Sequence, residues 1–447
     1  MSINSFAKII KVNPQNLDKN ASFYVWVDKI RKLGSLLFIV GQDSSGKIQI
    51  VTKKEELINK LKEIKRGDLL EVQGILRKKT GSEKEIELEL IKYKLVNYSK
   101  ELPFEIKDDI NINDDTRYRY RYLDLRRPSS KKFLVIKNQF LHEVRNFLHK
   151  NGFIDVETPI LTQNSPEGAK CFVVPSNLEN RYYTLPQSAQ MFKQLLMVGG
   201  FNRYYSIAKS FRNEDARSNR QIEFSQLELE TSFMPSYEIK ELMERLLKNI
   251  LKKVFGYQIK TKFPSMTYQQ VMEKYGTDKP DLRKNPHDKK ELVFLWITDW
   301  PLFEYNQEAK KYEPFRHPFT TPQKKYIKPL LKGKIKPEQI ICDAFDLICN
   351  GEEILSGSCR IYQRELQEKV LKILGYNQEE RENNFGYFLQ ALEFAAPPHG
   401  GFGLGIDRLL AIMLKANNLK ELIAFPKNID GTCSLTGAPN FLEKGKD

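Results

Sequence analysis

Two segments far apart in the chain constrain it most. The first is Phe211-Arg-Asn-Glu-Asp-Ala-Arg-Ser-Asn-Arg-Gln-Ile-Glu-Phe-Ser-Gln-Leu-Glu-Leu-Glu-Thr-Ser-Phe233, a basic loop that runs into a strand alternating Leu with Gln or Glu. The second is Gly401-Phe-Gly-Leu-Gly-Ile-Asp-Arg408, in which three glycines let a backbone approach a ligand closely. The apolar run Leu409–Leu414 then predicts a buried helix. Either segment alone is weak evidence. Together, in this order along one chain, they are a far more specific signal than either alone.

At 447 residues the chain predicts two or three domains. No apolar run reaches the length of a bilayer span, and the N-terminus has no signal-like stretch, so the expected compartment is the cytoplasm. Five cysteines without a C-x-x-C pair argue against a disulfide framework and a thiolate zinc site. A net charge of +15 suits a polyanionic partner such as nucleic acid, and equally a lysine-rich composition.

Residues 22–97 predict a five-stranded barrel with a helix, Glu55–Ile64, between the third and fourth strands, the order of an OB-fold. Residues 98–116 look like an acidic linker. Arg117-Tyr-Arg-Tyr-Arg-Tyr122 alternates like a strand with one aromatic face in the core, and less well like a nucleic-acid stripe. Lys131–Lys150 and residues 237–254 carry apolar stripes at helical spacing, and Phe153–Pro159 reads as a strand ended by proline. The domains expected are 1–100, a hinge at 101–130, and 131–447. The fold class expected is α+β: an OB barrel followed by an antiparallel sheet flanked by helices.

The two opening segments resemble motifs 2 and 3 of the class II aminoacyl-tRNA synthetases, and helix 131–150 with its strand resembles motif 1, which builds the dimer interface of that family. The resemblance implies an adenylate-forming ligase that uses ATP and Mg²⁺. Positioning and electrostatics then drive attack of a carboxylate on the α-phosphate. By position, Arg212 and Arg408 would be the catalytic arginines. Glu214 would accept from the adenine amino group, Phe224 would stack on the base, and Gln221, Gly405, Ile406 and Asp407 would complete the ATP site. Asp346 and Glu353 match the family's metal carboxylates, with neighbouring Glu352 pointing away because strand residues alternate.

Gln187-Ser-Ala-Gln-Met-Phe-Lys-Gln194 and Gly357-Ser-Cys-Arg-Ile361 resemble the bacterial aspartate enzymes. They make Lys193 and Arg360 a clamp for a side-chain carboxylate. Asparagine would leave both cations unneutralised and lysine would repel them. Glu167, Gln190 and Gln226 would serve the α-amino group, and His317 would also touch aspartate. In the barrel, Phe38 matches the family's stacking aromatic, while Arg31, Gln49 and Glu87 match its anticodon readers. Arg217 and Arg220 would approach the tRNA acceptor end. The resemblance further implies tRNA(Asp) and L-aspartate as substrates and a homodimer without membrane attachment.

Three departures stand out. The large domain that the bacterial enzymes insert after the Asp-Leu-Arg segment is missing beyond Arg283. Arg316 replaces the first of the family's two histidines, and Glu228 replaces an aspartate. Other readings are an enzyme that aspartylates both tRNA(Asp) and tRNA(Asn), an asparagine ligase, and a non-catalytic RNA-binding paralogue. Arg212, Glu353 and Arg408 count against the paralogue, and the OB barrel counts against an aspartate–ammonia ligase.

Overall fold

The computed structural model describes residues 8–9, 12–82, 85–164, 170–214, 219–288 and 291–441. The chain divides into two compact units, Met1–Lys131 and Lys132–Asp447.

In the first unit, β1 (Asn20–Leu33), β2 (Leu36–Gln42), β3 (Lys47–Thr52), β4 (Leu69–Lys78) and β5 (Ile86–Asn97) close a barrel in the order β1-β2-β3-β5-β4. Alternate residues fill it: Phe23, Val25 and Val27 from β1, Leu37 and Ile39 from β2, Ile48 and Ile50 from β3. Helix α1 (Glu55–Lys60), continued by a 3₁₀ turn to Glu63, lies between β3 and β4, as the periodicity predicts.

The Arg–Tyr alternation does not form a strand. It forms α2 (Asp114–Arg119) and α3 (Arg121–Asp124). The Asn113 side chain accepts from the Thr116 amide, and Asp114 and Asp115 favour the positive helix end. The arginines turn inward: Arg121 and Arg127 pair with fully buried Asp124, and Arg117 lies 3.4 Å from it. Burial raises the Asp124 carboxyl, but these guanidiniums hold it below the usual value. The segment expected as a hinge therefore packs within the first unit.

The second unit is built on an eight-stranded sheet. Its strands are β6 (Ile154–Asp155), β9 (Arg203–Phe211), β10 (Glu223–Ser232), β11 (Ser265–Thr267), β12 (Phe294–Thr298), β15 (Ala344–Cys349), β16 (Glu352–Cys359) and β17 (His399–Gly405), in the order β11-β12-β15-β16-β17-β10-β9-β6. The central pairs are antiparallel, and the edge pairs β11–β12 and β6–β9 are parallel. Two hairpins stand apart, β7 (Val173–Pro175) with β8 (Tyr182–Thr184) and β13 (Phe303–Asn306) with β14 (Lys311–Pro314). The strand expected at 153–159 is only two residues long.

The amphipathic helices α4 (Pro128–Lys150) and α6 (Ser236–Phe255) contribute Phe140, Val144, Leu148, Leu242, Leu246 and Ile250 to the main core. Leu227, Leu229 and Leu404 meet them from β10 and β17. The opposite face of β10 is thereby left to Gln226, Glu228 and Glu230, and this face carries the site.

Candidate active site

A cavity of about 330 Å³ opens on that polar face. Among the described residues its wall carries seven basic side chains (Lys193, Arg212, Arg220, Lys279, Arg316, Arg360 and Arg408) against four acidic ones (Glu214, Glu228, Glu353 and Asp407). The excess of cations suits a polyanionic ligand.

Register explains how the wall is built. Gln226, Glu228 and Glu230 lie across from Gly405, Gly403 and Gly401 on β17. A Cβ on Gly401 would stand 1.9 Å from the Leu229 carbonyl oxygen and 2.3 Å from Glu230 Oε2. On Gly403 it would stand 3.0 Å from Glu228 Oε1 and 3.2 Å from Gln226 Nε2. The glycines are needed here to seat two carboxylates beneath a ligand surface.

One end of the cavity holds a buried charge network. Lys193, on α5 (Gln190–Val198), reaches Glu228 at 2.8 Å and Glu230 at 3.5 Å. Arg360 donates from Nε to Glu230 Oε1 at 2.9 Å and from Nη2 to Oε2 at 3.2 Å, while its Nη1 meets His317 Nε2 at 2.6 Å. Burial raises the Glu230 carboxyl, but Arg360 and Lys193 more than offset this and hold it ionised. Burial, followed by the charges of Arg360, Lys193 and Arg316, keeps His317 neutral, well below the ordinary histidine value. The clamp expected from sequence is therefore not a pair of free cations. Lys193 and Arg360 already have carboxylate partners, and Glu230 is a member that the sequence reading missed. The alternation of Gln226, Glu228 and Glu230 on one strand face was the available signal.

Nearby, the Gln190 amide nitrogen is buried and has no hydrogen-bond partner among the described residues. Gln226 accepts from Ser210 Oγ at 2.8 Å. Glu167 and Arg217 lie outside the described residues.

At the other end Arg212 lies 5.5 Å from the centroid of the Phe224 ring. Arg408 donates to the Glu353 main-chain carbonyl and not to a carboxylate. Glu214 and Arg220 face each other at 3.4 Å on the cavity wall. Gln221 accepts from the Lys427 amide at 3.0 Å, which ties the tail to the loop. Ile406 is fully buried, and Asp407 binds Lys137 of α4. Glu353 lines the cavity, whereas Glu352 lines an adjoining recess, so the two do point apart.

The two expected metal carboxylates differ. Glu353 faces the cavity with its side chain 22% exposed and fits as an oxygen ligand beside a nucleotide. Asp346 is 1% exposed, does not line the cavity, and is in contact with Arg316. Among the described residues no group of three or more metal-binding side chains is present. All five cysteines are free.

In the first unit Phe38 is half-buried between buried Leu37 and Ile39, so it lies on the outer face of the barrel. It stands opposite exposed Arg31 on β1. One strand further, Gln49 faces Glu87 and donates to it at 2.6 Å. The four RNA-contact residues expected on the barrel therefore share one surface across β1, β2, β3 and β5.

Both units match known protein families. Residues 113–429 match the family described as tRNA synthetases class II (D, K and N), and residues 21–96 match the OB-fold nucleic acid binding domain. The aspartate–tRNA(Asp/Asn) ligase of Dictyoglomus turgidum is 35% identical over 566 aligned positions, covering 97% of this chain and 95% of the relative. The Bacillus cytotoxicus ligase of the same name is 34% identical over 567, covering 96% and 95%. These alignments outrun a chain of 447 residues, so the relatives carry more than a hundred residues that it lacks, in keeping with the missing inserted domain. Asparaginyl-tRNA synthetase from Pyrococcus horikoshii, solved with asparaginyl-adenylate, superposes with a TM-score of 0.76 at 22% identity over 95% of this chain and 98% of that one.

Proposed function

The chain belongs to the class II tRNA synthetases of the D, K and N group, and from that membership we propose that it attaches L-aspartate to tRNA through an aspartyl-adenylate. The α-carboxylate of aspartate attacks the α-phosphorus of ATP, and the bond to pyrophosphate breaks. A terminal ribose hydroxyl of the tRNA then takes the aspartyl group, and AMP leaves.

The observation that carries the choice of aspartate is the buried Lys193–Glu228 pair beside Arg360. A substrate ammonium placed on Glu228 releases Lys193. The released ammonium of Lys193 then needs an anion, and the side-chain carboxylate of aspartate supplies it next to Arg360. Asparagine offers the same ammonium but only an amide, and leaves Lys193 no more than the longer 3.5 Å contact to Glu230, whose two oxygens already accept from Arg360. Specificity arises from an exchange of partners rather than from waiting cations. The Gln190 amide adds a donor for a carboxylate.

Arg212 is placed to take the α-phosphate and the attacking carboxylate together, with Phe224 against the adenine and Glu214 at its amino group. Arg408 takes the distal phosphates. Glu353 would hold Mg²⁺, which when bound neutralises phosphate charge.

The outer barrel face with Phe38, Arg31, Gln49 and Glu87 supports anticodon binding by stacking and edge contacts. Glu167 and Arg217 keep their family roles at the α-amino group and the acceptor end. A homodimer is supported by exposed Ile160, Leu161, Val173, Leu178 and Tyr182, an apolar set on the β7–β8 hairpin and the segment after β6. Among the described residues no helix is long and apolar enough to cross a membrane. As a translation enzyme the chain is proposed to act in the cytoplasm.

The names of the relatives favour a second reading of tRNA range, in which tRNA(Asp) and tRNA(Asn) are both aspartylated. Charging of the two purified tRNAs with labelled aspartate and labelled asparagine tests both readings. Aspartate on either tRNA supports the proposal, and asparagine transfer overturns it.

A further inference from the structure

Arg316 follows β14 and enters the catalytic cavity, where the family resemblance assigns it no role. Its guanidinium lies 3.7 Å from the centroid of the Trp300 ring, a fully buried side chain. It touches the Asp346 carboxylate and stands 3.9 Å from Glu353 Oε2. Lys279 approaches Glu353 at 3.7 Å from the other segment bordering the cavity. Neither Asp346 oxygen accepts a well-formed hydrogen bond from a described residue, so Arg316 is the group that answers its charge.

We propose that Arg316 is a built-in cation that withdraws Asp346 from metal binding, so that the protein offers a divalent ion one carboxylate, Glu353, instead of two. This builds on the assignment of the cavity as an ATP site. A hard divalent ion needs free carboxylate oxygens, and it cannot share Asp346 with a guanidinium stacked on an indole. Arg316 instead keeps positive charge fixed in the cavity whether or not a metal is present. Being held on two sides, it needs no ordering when nucleotide arrives.

The test uses the full chain without nucleotide and Mn²⁺ alone as the probe, with free Mn²⁺ followed by electron paramagnetic resonance. This readout does not depend on adenylate chemistry, so it fails or succeeds separately from the proposed function. Native protein is expected to bind Mn²⁺ weakly, with no change in D346N. Arg316→Gln exposes Asp346 and is expected to bind roughly tenfold tighter or more. The gain disappears in R316Q/D346N, which also leaves no unpaired buried carboxylate and so covers failure of the single variant to fold. Tight binding by the native chain that D346N weakens, or an R316Q affinity equal to native, overturns the proposal.

Discussion

Lys193 and Glu228 form an ion pair 2.8 Å long with both side chains 2% exposed, on the wall of the cavity where a substrate must enter. Such a pair lends the fold little net stability, because desolvation cancels most of the attraction, but breaking it is costly. Its position suggests that it stores a partner for the ligand on each side.

Lys193→Met leaves Glu228 and Glu230 with one cation fewer in a dry site. We expect a loss of about 3–5 kcal/mol in unfolding free energy. The double variant K193M/E228Q should recover much of it. Urea denaturation of the four proteins in this cycle measures the coupling, and additive losses would contradict it.

The two glycines opposite the acids should respond differently to alanine. In G401A the new methyl meets a backbone carbonyl that cannot move, at 1.9 Å, and we expect about 1–3 kcal/mol or more of destabilisation. In G403A it meets the ends of two flexible side chains at 3.0 and 3.2 Å. There the fold should survive with a small stability change, while KM for aspartate rises because Glu228 and Gln226 are displaced. Thermal melts alongside aspartate titrations separate the two effects.

The pH dependence of stability has a definite sign. His317 and His399 both sit below the ordinary histidine value of 6.5 in the folded chain, chiefly through burial. Below that value the unfolded chain binds more protons, so stability falls as pH drops under 6.5 and is flat in these groups above it. Each histidine contributes up to about 1.4 kcal/mol per pH unit in that window. His317→Gln should remove one share of the slope. The lowered carboxyl of Glu230 acts in a separate window: its contribution is lost only as pH falls below its ordinary value of 4.5. Urea unfolding across pH 5 to 8 checks the slopes in native and H317Q protein.

Phe38 is available for stacking because its neighbours, not it, fill the barrel. Phe38→Ala should cost about 1–3 kcal/mol of tRNA affinity, roughly 5- to 150-fold in KM for tRNA. Amino-acid activation without tRNA should be unchanged. A loss of folding in place of a tRNA effect would mean that the ring is core.

Much of this was legible in the sequence because local periodicity and short-range chemistry dictated it. The barrel strands alternate, α1 falls between the third and fourth, and the glycines of β17 announce a close approach. Arg117–Tyr122 misled because its alternation has the period of a strand, while the Asn113 cap and the two aspartates behind it decide for a helix. Glu230 was missed for a different reason. Its role depends on Arg360, 130 residues away, which reaches it only through the register of β16, β17 and β10. The stance of Arg316 depends likewise on Trp300 and Asp346, and no local pattern specifies that meeting.

The most direct test of the partner-exchange account is ATP–pyrophosphate exchange by the native chain, without tRNA, offered aspartate, asparagine and lysine separately. The account predicts exchange with aspartate and none above background with the other two. Exchange driven by asparagine at a comparable rate would contradict it, since Lys193 would then tolerate a buried site with no anion to replace Glu228.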